Sequence, residues 1–315
     1  MNKKTSIAAA IAVALLASVP LFGSDVVVQF GIDALSMATL AQAWNLMGGF
    51  TGYPSFGNSV FYGLGAYGTA IAMTKFGMPF GVGLAAGVAA ATSCAALVGL
   101  PILRLRGPYF AIATLGVNGA MAEIVSNLRI AGADVGLVLP LTRNDASFYE
   151  LSLALLVFCT GCVAWAATSR FGMGLVAIRE DEAAASTMGV NATLYKVAAF
   201  VLAAAFTAVA GGIHAYWSTF IDPASAFDST LNVRMVIMCV FGGPGTVFGP
   251  VVGSFILSAI YEVLAAQIST AAALLFGVVI VVAVIFMPKG LADLVQQAPG
   301  VGWRYFVRNI RENGI

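Results

Sequence analysis

Long apolar runs separated by short polar segments make up most of the chain. A membrane-spanning helix needs about 20 predominantly apolar residues, so most of these runs are long enough for one span and the longest for two. The pattern predicts an all-α fold, a polytopic transmembrane helical bundle of about 8–10 spans with broken or re-entrant segments, in one domain over residues 1–315. The runs without a charged residue are 5–24, 34–74, 76–103, 107–122, 151–169, 197–221, 235–261 and 263–288.

Two glycine-rich breaks interrupt the apolar runs, at Gly48–Pro54 and at Gly242–Gly245. Each follows an apolar run and precedes a further glycine-rich one. Interrupted helices in corresponding places of two halves are typical of an internal repeat with a solute path between the halves. Ordinary turns at the ends of helices produce the same short pattern, and the residues leave both interpretations open.

Neutral polar side chains accompany the first break and the fifth predicted helix. A free amino acid is a zwitterion, and an unpaired charge inside the bilayer costs several kcal/mol. We therefore expect a low-affinity path for such a solute to use backbone dipoles and neutral polar side chains. The alternative is that these side chains hydrogen-bond neighbouring helices. The candidate residues of this translocation path are Ser55, Asn58, Ser59, Thr114 and Asn118.

The composition agrees with a membrane protein, because 60% of the residues are hydrophobic and 9% are charged, whereas soluble proteins have about 25% charged residues. Basic loops stay in the cytoplasm. The basic clusters therefore predict that both termini are cytoplasmic, with residues 289–315 as a cytoplasmic tail and residues 1–23 retained as a first helix. No basic run indicates nucleic-acid binding. The basic clusters are at 3–4, 104–106, 170–196 and 289–311.

Few ionisable or metal-binding side chains interrupt the apolar runs. Glu123, Arg234 and Glu262 fall near the ends of predicted spans, which favours anchoring at the membrane interface, and His214 is interpreted in the same way. The 4 cysteines lie in apolar runs without histidine or acidic neighbours, which is typical of small buried thiols. We predict no metal site and no catalytic residue.

A short charged, alanine-rich segment, residues 170–196, stands apart from the apolar runs. Its acids suit the first turn of a helix, its alanines favour helix, Gly189 is the expected terminator, and Asn191 or Thr193 can cap the next helix. This predicts one helix over 180–189, of about two to three turns. An alanine face beside Met188 suits docking in a groove of another protein; the alternative is a solvated loop.

Four segments, in order along the chain, resemble signatures of the permease subunits of branched-chain amino-acid ABC importers. This is the Liv-type family, and the chain is closer to its LivM branch than to its LivH branch. The resemblance covers most of residues 45–291, with departures at Asn58 and in the outer loop 129–137. The segments are 52–67 (GYPSFGNSVFYGLGAY), 103–116 (LRLRGPYFAIATLG), 169–182 (SRFGMGLVAIREDE) and 287–291 (MPKGL).

The resemblance implies that residues 170–196 are the cytoplasmic coupling segment, similar to the "EAA" loop of ABC permeases, on which partner ATPases dock over 177–191. It also implies a second, LivH-like permease subunit and an extracytoplasmic solute-binding protein, which could dock on the outer segments 127–150 and 220–234. The residues expected to couple to the ATPases are Ile178, Arg179, Glu180, Asp181, Glu182, Ala183, Ala184, Met188 and Gly189.

The expected activity is transport across a prokaryotic plasma (inner) membrane, with branched-chain amino acids as the foremost solutes. A Walker A loop requires glycine before lysine and Ser/Thr after it, and the only Lys-Thr pair, Lys4-Thr5, follows Lys3. ATP hydrolysis is therefore expected from other proteins, with no cofactor on this chain and no enzyme activity of its own. The resemblance implies two partner ATPase subunits that bind ATP and magnesium.

An ion-coupled secondary transporter or channel for small solutes is the alternative function. Such a carrier usually needs a carboxylate or a cation site within the membrane. The sequence predicts no carboxylate in the middle of a span, and a secondary transporter would have no use for the coupling segment. A membrane-embedded enzyme would need a cluster of His, Asp and Glu, and the chain has 1 histidine.

Overall fold

The computed structural model describes residues 3–141 and 144–267, together with residues 277, 290 and 291. The tail 289–315, the final apolar run and the C-terminal motif lie almost wholly outside the described residues. The α-helices in the described part are α1 (Lys3–Phe22), α2 (Asp25–Trp44), α3 (Asn58–Phe76), α4 (Phe80–Ile102), α5 (Pro108–Asn127), α6 (Asp145–Thr168), α7 (Arg170–Glu180), α8 (Glu182–Thr187), α9 (Ala192–Ser218), α10 (Pro223–Ala226), α11 (Ser229–Gly242) and α12 (Gly249–Gln267).

The all-α, polytopic fold that the apolar runs predict is confirmed. Within the described residues, 7 helical segments are long and apolar enough to cross a membrane. The helices α1 and α3 are not among the seven, so the total of about 8–10 spans for the whole chain stays a prediction. The seven segments are Asp25–Gly49, Phe80–Ile102, Pro108–Asn127, Asp145–Thr168, Ala192–Ser218, Pro223–Gly242 and Gly249–Ala266.

Glycine allows the central helices to approach each other closely. The helices α3, α4 and α9 all pack against one another, and a Cβ added to Gly65 on α3 would lie 2.1 Å from the carbonyl oxygen of Ala208 on α9. One turn further along α3, a Cβ on Gly68 would lie 2.5 Å from the Cα of Gly87 on α4. Small residues at helix crossings are the usual basis of tight packing in membranes, so these three helices form the centre of the bundle.

A short antiparallel pairing joins two segments at one end of the bundle. Strand β1 (Leu137–Val138) pairs with β2 (Phe220–Ile221), with Leu137 opposite Ile221 and Val138 opposite Phe220. The strands precede α6 and follow α9, so they lie at the opposite end of these helices from α7 and α8. The pairing joins the segments 127–150 and 220–234, the two predicted outer segments, into one connected surface.

Candidate functional site

The coupling segment consists of two helices rather than one. The helix α7 ends at Glu180, and α8 begins at Glu182. Between them Asp181 has an extended backbone, and its Oδ1 atom accepts hydrogen bonds from the N–H groups of Ala183 at 2.8 Å and Ala184 at 3.0 Å. A side chain that caps the first turn in this way begins a new helix. The helix predicted over 180–189 is therefore shorter, Glu182–Thr187, and the preceding helix α7 was not predicted.

The predicted end of the short helix at Gly189 and the predicted start of the next helix are confirmed. Gly189 follows α8 with φ +86°, a left-handed conformation that glycine adopts without the steric cost of a Cβ. The N-cap of α9 is Asn191, whose Oδ1 accepts a hydrogen bond from the N–H of Leu194 at 3.1 Å. The alternative cap, Thr193, lies inside α9. These caps fix where the short helix stands between the spans α6 and α9.

The nine coupling residues divide between an exposed face and a buried support. Ala183, Ala184 and Gly189 are exposed, and Met188 has 85% of its surface exposed. Ile178, on α7, is 3% exposed and lies in the main hydrophobic core. The exposed face is therefore small and apolar at its centre, while α7 is fixed in the bundle by its buried side.

A buried polar network attaches α8 to three other elements. Lys196 on α9 is 3% exposed, and its Nζ atom donates to Oε1 of Glu182 at 2.8 Å, to the carbonyl oxygen of Leu103 at 2.8 Å and to Oη of Tyr53 at 3.2 Å. The hydroxyl of Tyr53 donates to the other carboxylate oxygen of Glu182, and Nε of Arg106 lies 3.6 Å from that oxygen. Glu182, the first residue of α8, is thus connected through this network to α9, to the α4–α5 connection and to the segment before α3.

The electrostatics of this network keep Glu182 ionised. Burial raises the pKa of its carboxyl, but the hydrogen bonds from Lys196 and Tyr53, with the charges of Lys196 and Arg106, outweigh burial and leave the pKa below its ordinary value. Burial and the hydrogen bond to Glu182 raise the pKa of Tyr53 well above its usual range. Nζ of Lys196 also lies 4.6 Å from the centre of the Tyr53 ring, a favourable position for a cation.

Arg179 connects the coupling segment to the first helix break. Its Nη1 atom donates to the carbonyl oxygen of Gly49 at 3.1 Å, and its Nη2 atom donates to Oε1 of Glu180 at 3.0 Å. A Cβ on Gly52 would lie 2.8 Å from Cγ of Arg179, and a Cβ on Gly245 would lie 2.9 Å from Nη1. The arginine therefore lies where the two predicted breaks approach each other.

The two breaks contact each other directly. The helix α2 continues into a π-helical turn, Asn45–Gly49, before the chain becomes irregular. Oδ1 of Asn45 accepts from the N–H of Gly245 at 2.7 Å, its Nδ2 donates to the carbonyl oxygen of Thr246 at 2.8 Å, and Nε2 of Gln42 donates to that of Val247 at 2.8 Å. The sequence analysis did not select Gln42, Asn45, Tyr53 or Lys196. The available signal was their polarity inside or beside otherwise apolar runs.

The five candidate path residues are all buried, and the structure brings two of them into direct contact. Oγ of Ser59 donates to Oδ1 of Asn118 at 2.6 Å and accepts from Nδ2 of Asn232 at 2.6 Å. Nδ2 of Asn118 also donates to the carbonyl oxygen of Phe227 at 2.9 Å. These bonds join α3, α5 and α11, as the interhelical alternative predicts.

The remaining path residues lie around the irregular segment before α3. Oγ1 of Thr114 accepts from the N–H of Phe56 at 3.0 Å, and the carbonyl oxygen of Ser55 accepts from the indole N–H of Trp44 at 2.7 Å. The side-chain N–H groups of Asn58 have no hydrogen-bond partner within the described chain. The role of the five residues as solute contacts stays a prediction.

Arg234 lies in the second turn of α11, within the candidate span Pro223–Gly242. It lines a cavity of about 280 Å³ together with Asp33, His214 and Glu262. Asp33 was not selected because it directly precedes a charge-free run and looked like its boundary. The helix α2 begins eight residues earlier, at Asp25, so Asp33 lies within the span.

Comparison with known proteins agrees with this architecture. The family model of the branched-chain amino acid transport system permease component matches residues 26–287. The chain is 26% identical to the high-affinity branched-chain amino acid transport system permease protein LivM of Salmonella typhimurium, over 81% of this chain and 67% of that protein. It is 25% identical to the LivM protein of Escherichia coli, over 82% of this chain and 70% of that protein. No solved structure is significantly similar. The chain therefore belongs to the family of branched-chain amino acid transport system permease components.

Proposed function

We propose that the chain translocates branched-chain amino acids across a prokaryotic plasma membrane as one permease subunit of an ABC importer, driven by two ATPase subunits that dock on residues 177–191. The observation that carries the proposal is the network at Glu182. One partly buried carboxylate, that of Glu182 at the start of an exposed helix, is hydrogen-bonded to Lys196 and Tyr53. A displacement of α8 is thereby transmitted to α9 and to the segment before α3.

The exposed face of α8 supports docking of a second protein. Its alanines allow close approach of a partner backbone, and Met188, 85% exposed, gives an apolar contact that adapts to a groove. The segment is short and capped at both ends. A rigid helix of this kind transmits a displacement more fully than a flexible loop does.

The remaining parts of the importer follow from the family. ATP and magnesium are bound by the two ATPase subunits, with no cofactor on this chain. A second, LivH-like permease completes the pore, and an extracytoplasmic solute-binding protein delivers the amino acid. The basic coupling segment and both termini face the cytoplasm under the positive-inside rule, so the paired strands β1 and β2 face outside.

Ion-coupled secondary transport is the competing function. The absence of a charged group within a span no longer argues against it, because Asp33 and Arg234 both lie within spans. Family membership and the coupling segment favour the ABC importer. A secondary transporter would import its solute without associated ATPases, and this difference is measurable.

The test places a large charged side chain on the proposed docking face. We expect Ala184→Arg to prevent co-purification of the ATPase subunits and to abolish ATP-driven uptake of L-leucine, while the chain still inserts, because Ala184 is exposed. Ala224→Arg is the matched control, since Ala224 is an exposed alanine on the short helix α10 at the opposite end. The control is expected to retain the ATPase subunits.

Gly189 provides a second variant at the same face. At φ +86° any side chain is strained, by about 1–2 kcal/mol, but nothing lies within 4 Å of an added Cβ. Gly189→Ala and Gly189→Arg share the strain and differ in bulk and charge. Loss of ATPase binding only in the arginine variant supports docking, whereas ATPase binding and uptake retained in both Ala184→Arg and Gly189→Arg would refute it.

A further inference from the structure

A cavity of about 280 Å³ lies between α2, α9, α11 and α12, away from the coupling segment. Three of its lining side chains carry charge: Asp33 on α2, Arg234 on α11 and Glu262 on α12. Charged groups within membrane spans are costly and mark substrate or ion pathways. The volume is just below the range of pockets for drug-sized ligands, about 300–1,000 Å³, and so suits a small metabolite.

The cavity lies in the half of the bundle opposite the helix breaks. Glu262 is thirteen residues along α12 from Gly249, which is about 20 Å at 1.5 Å per residue. Asp33 precedes the π-helical turn at Asn45 by twelve residues, about 18 Å along α2. With the coupling segment in the cytoplasm, the cavity is in the outer half of the membrane.

The charges in the cavity are not satisfied by each other. No ion pair joins Arg234 to Asp33 or Glu262 among the residues that the structure describes. Nη2 of Arg234 donates to Oη of Tyr261 at 3.3 Å, and the guanidinium lies 4.7 Å from the centre of that ring. Tyr261 thus contacts one edge of the Arg234 guanidinium, which has five N–H donors. The other donors remain for a ligand.

The remaining walls supply what an aliphatic amino acid needs. Phe30, Met37 and Met238 line the cavity with apolar surface, and methionine adapts to differently shaped side chains. Oγ of Ser258 lines the same cavity and is buried without a hydrogen-bond partner in the described chain. One cation, two carboxylates and an apolar wall match the carboxylate, the ammonium and the side chain of one solute.

We propose that this cavity is the outer receiving site for a zwitterionic aliphatic amino acid. Arg234 binds the carboxylate of the solute, Asp33 and Glu262 bind its ammonium group, and the apolar wall takes its side chain. The proposal rests on the proposed function, since it names where the imported amino acid first meets this chain. Unlike the candidate path, it uses charged groups that neutralise both ends of the zwitterion.

The test follows chemical access to the cavity in the complete importer, reconstituted in vesicles with its binding protein. Ser258→Cys, in a background with Cys94→Ser and Cys162→Ser, is modified with a charged thiol reagent, with and without L-leucine. We expect saturating L-leucine to slow the modification at least about tenfold. Leucinamide, which lacks the carboxylate, and 4-methylpentanoate, which lacks the ammonium group, are expected to protect poorly.

Substitution of the charged groups identifies the recognition chemistry. In the Ser258→Cys background, Arg234→Gln is expected to raise the L-leucine concentration for half protection at least about tenfold, as for a lost charge-assisted hydrogen bond. The control is Lys75→Gln, an exposed cation at the same end of the bundle, which is expected to leave that concentration unchanged. If Ser258→Cys does not assemble, import by Arg234→Lys and Arg234→Gln is compared, and equal import overturns the proposal.

The outcomes separate this proposal from the proposed function. If the vesicles import L-leucine but L-leucine does not protect Ser258→Cys from modification, the receiving site is overturned and the importer remains intact. The groups that bind the charged ends of the solute would then belong to the second permease subunit. Protection that is unchanged in Arg234→Gln would overturn the receiving site as well. An assembled complex that hydrolyses ATP but imports no L-leucine would refute the proposed function, and the amino-acid site with it.

Discussion

At the scale of single residues, the ion pair between Glu182 and Lys196 decides how firmly α8 is held. Lys196 is 3% exposed and Glu182 17% exposed, measured on their side chains. A buried pair is stable when its other hydrogen-bonding groups are satisfied. Here Tyr53 and the carbonyl oxygen of Leu103 supply these bonds. The network therefore contains charged groups whose hydrogen-bonding capacity is nearly all satisfied.

The lowered pKa of Glu182 predicts how this attachment depends on pH. A carboxyl with a lower pKa in the folded state contributes stability above its unfolded value, 4.5, and loses it as the pH falls through the folded value. We therefore expect protection of the 182–190 amides from hydrogen exchange, corrected for the intrinsic rate, to be constant from neutral pH to about 4.5 and to fall below it. Glu182→Gln should remove this acid-dependent step, and an unchanged step would contradict the assignment.

The sequence contains these residues without showing their partnership. The coupling signature identifies Glu182, but in the sequence Lys196 is one member of a basic cluster and Tyr53 is part of a glycine-rich break. The pairs are 14 and 129 positions apart. Local spacing carries no information on such a contact, because the bundle packing that brings α9 and the loop before α3 together is not a local property.

At the scale of elements, capping explains why the coupling segment divides where it does. Asp181 and Asn191 start α8 and α9, and Gly189 follows α8. The residue types at these positions predicted the ends correctly, because capping is local. The division at Asp181 was not predicted, since a run of acids and alanines is equally compatible with one continuous helix until the backbone of Asp181 becomes extended.

The contact between the two helix breaks predicts a sharp effect of one methyl group. A Cβ on Gly49 would lie 1.9 Å from Oδ1 of Asn45 and 2.5 Å from the N–H nitrogen of Gly245. We expect Gly49→Ala to displace the Asn45 side chain and to destabilise the chain by about 3 kcal/mol, through overpacking and a lost hydrogen bond. The measurement is the free energy of unfolding of the purified chain.

Gly161 on α6 is the matched control for this substitution. It is exposed, within a helix, and nothing lies within 4 Å of an added Cβ. Gly161→Ala is therefore expected to be neutral or to stabilise by up to about 1 kcal/mol. Similar stabilities for the two variants would show that the breaks do not pack against each other as closely as Asn45 and Gly245 indicate.

At the scale of the whole molecule, α3, α4 and α9 form a tightly packed centre with the coupling segment attached at one end. The apolar runs predicted the helical bundle because membrane spans must satisfy their backbone groups internally. They did not predict that α2 ends in a π-helical turn against the second break, or that β1 pairs with β2. Those contacts depend on side chains and loops that only the assembled bundle brings together.

Under the proposed docking of ATPases on α8, the connections at Glu182 determine where their movement enters the bundle. The chain itself connects α8 to the spans that flank the coupling segment, α6 and α9. The structure adds a second route, because Tyr53 belongs to the segment between α2 and α3, and Arg179 contacts Gly49 in the first break. A displacement of α8 therefore acts on the broken helices as well as on α9, and those broken helices are where a gate would open.

Loss of Lys196 should separate docking from transport. Lys196→Met leaves the exposed face of α8 unchanged but removes the closest cation of the partly buried Glu182, with Arg106 remaining at 3.6 Å, at a cost of about 1–3 kcal/mol. We expect the ATPase subunits to co-purify normally while ATP-driven uptake of L-leucine falls at least about tenfold, because α8 no longer holds α9 and Tyr53 together. Lys75→Met, at an exposed lysine, is expected to retain both. Normal uptake in Lys196→Met would show that movement reaches the gate without this network, and loss of ATPase binding would show that the network shapes the docking face instead.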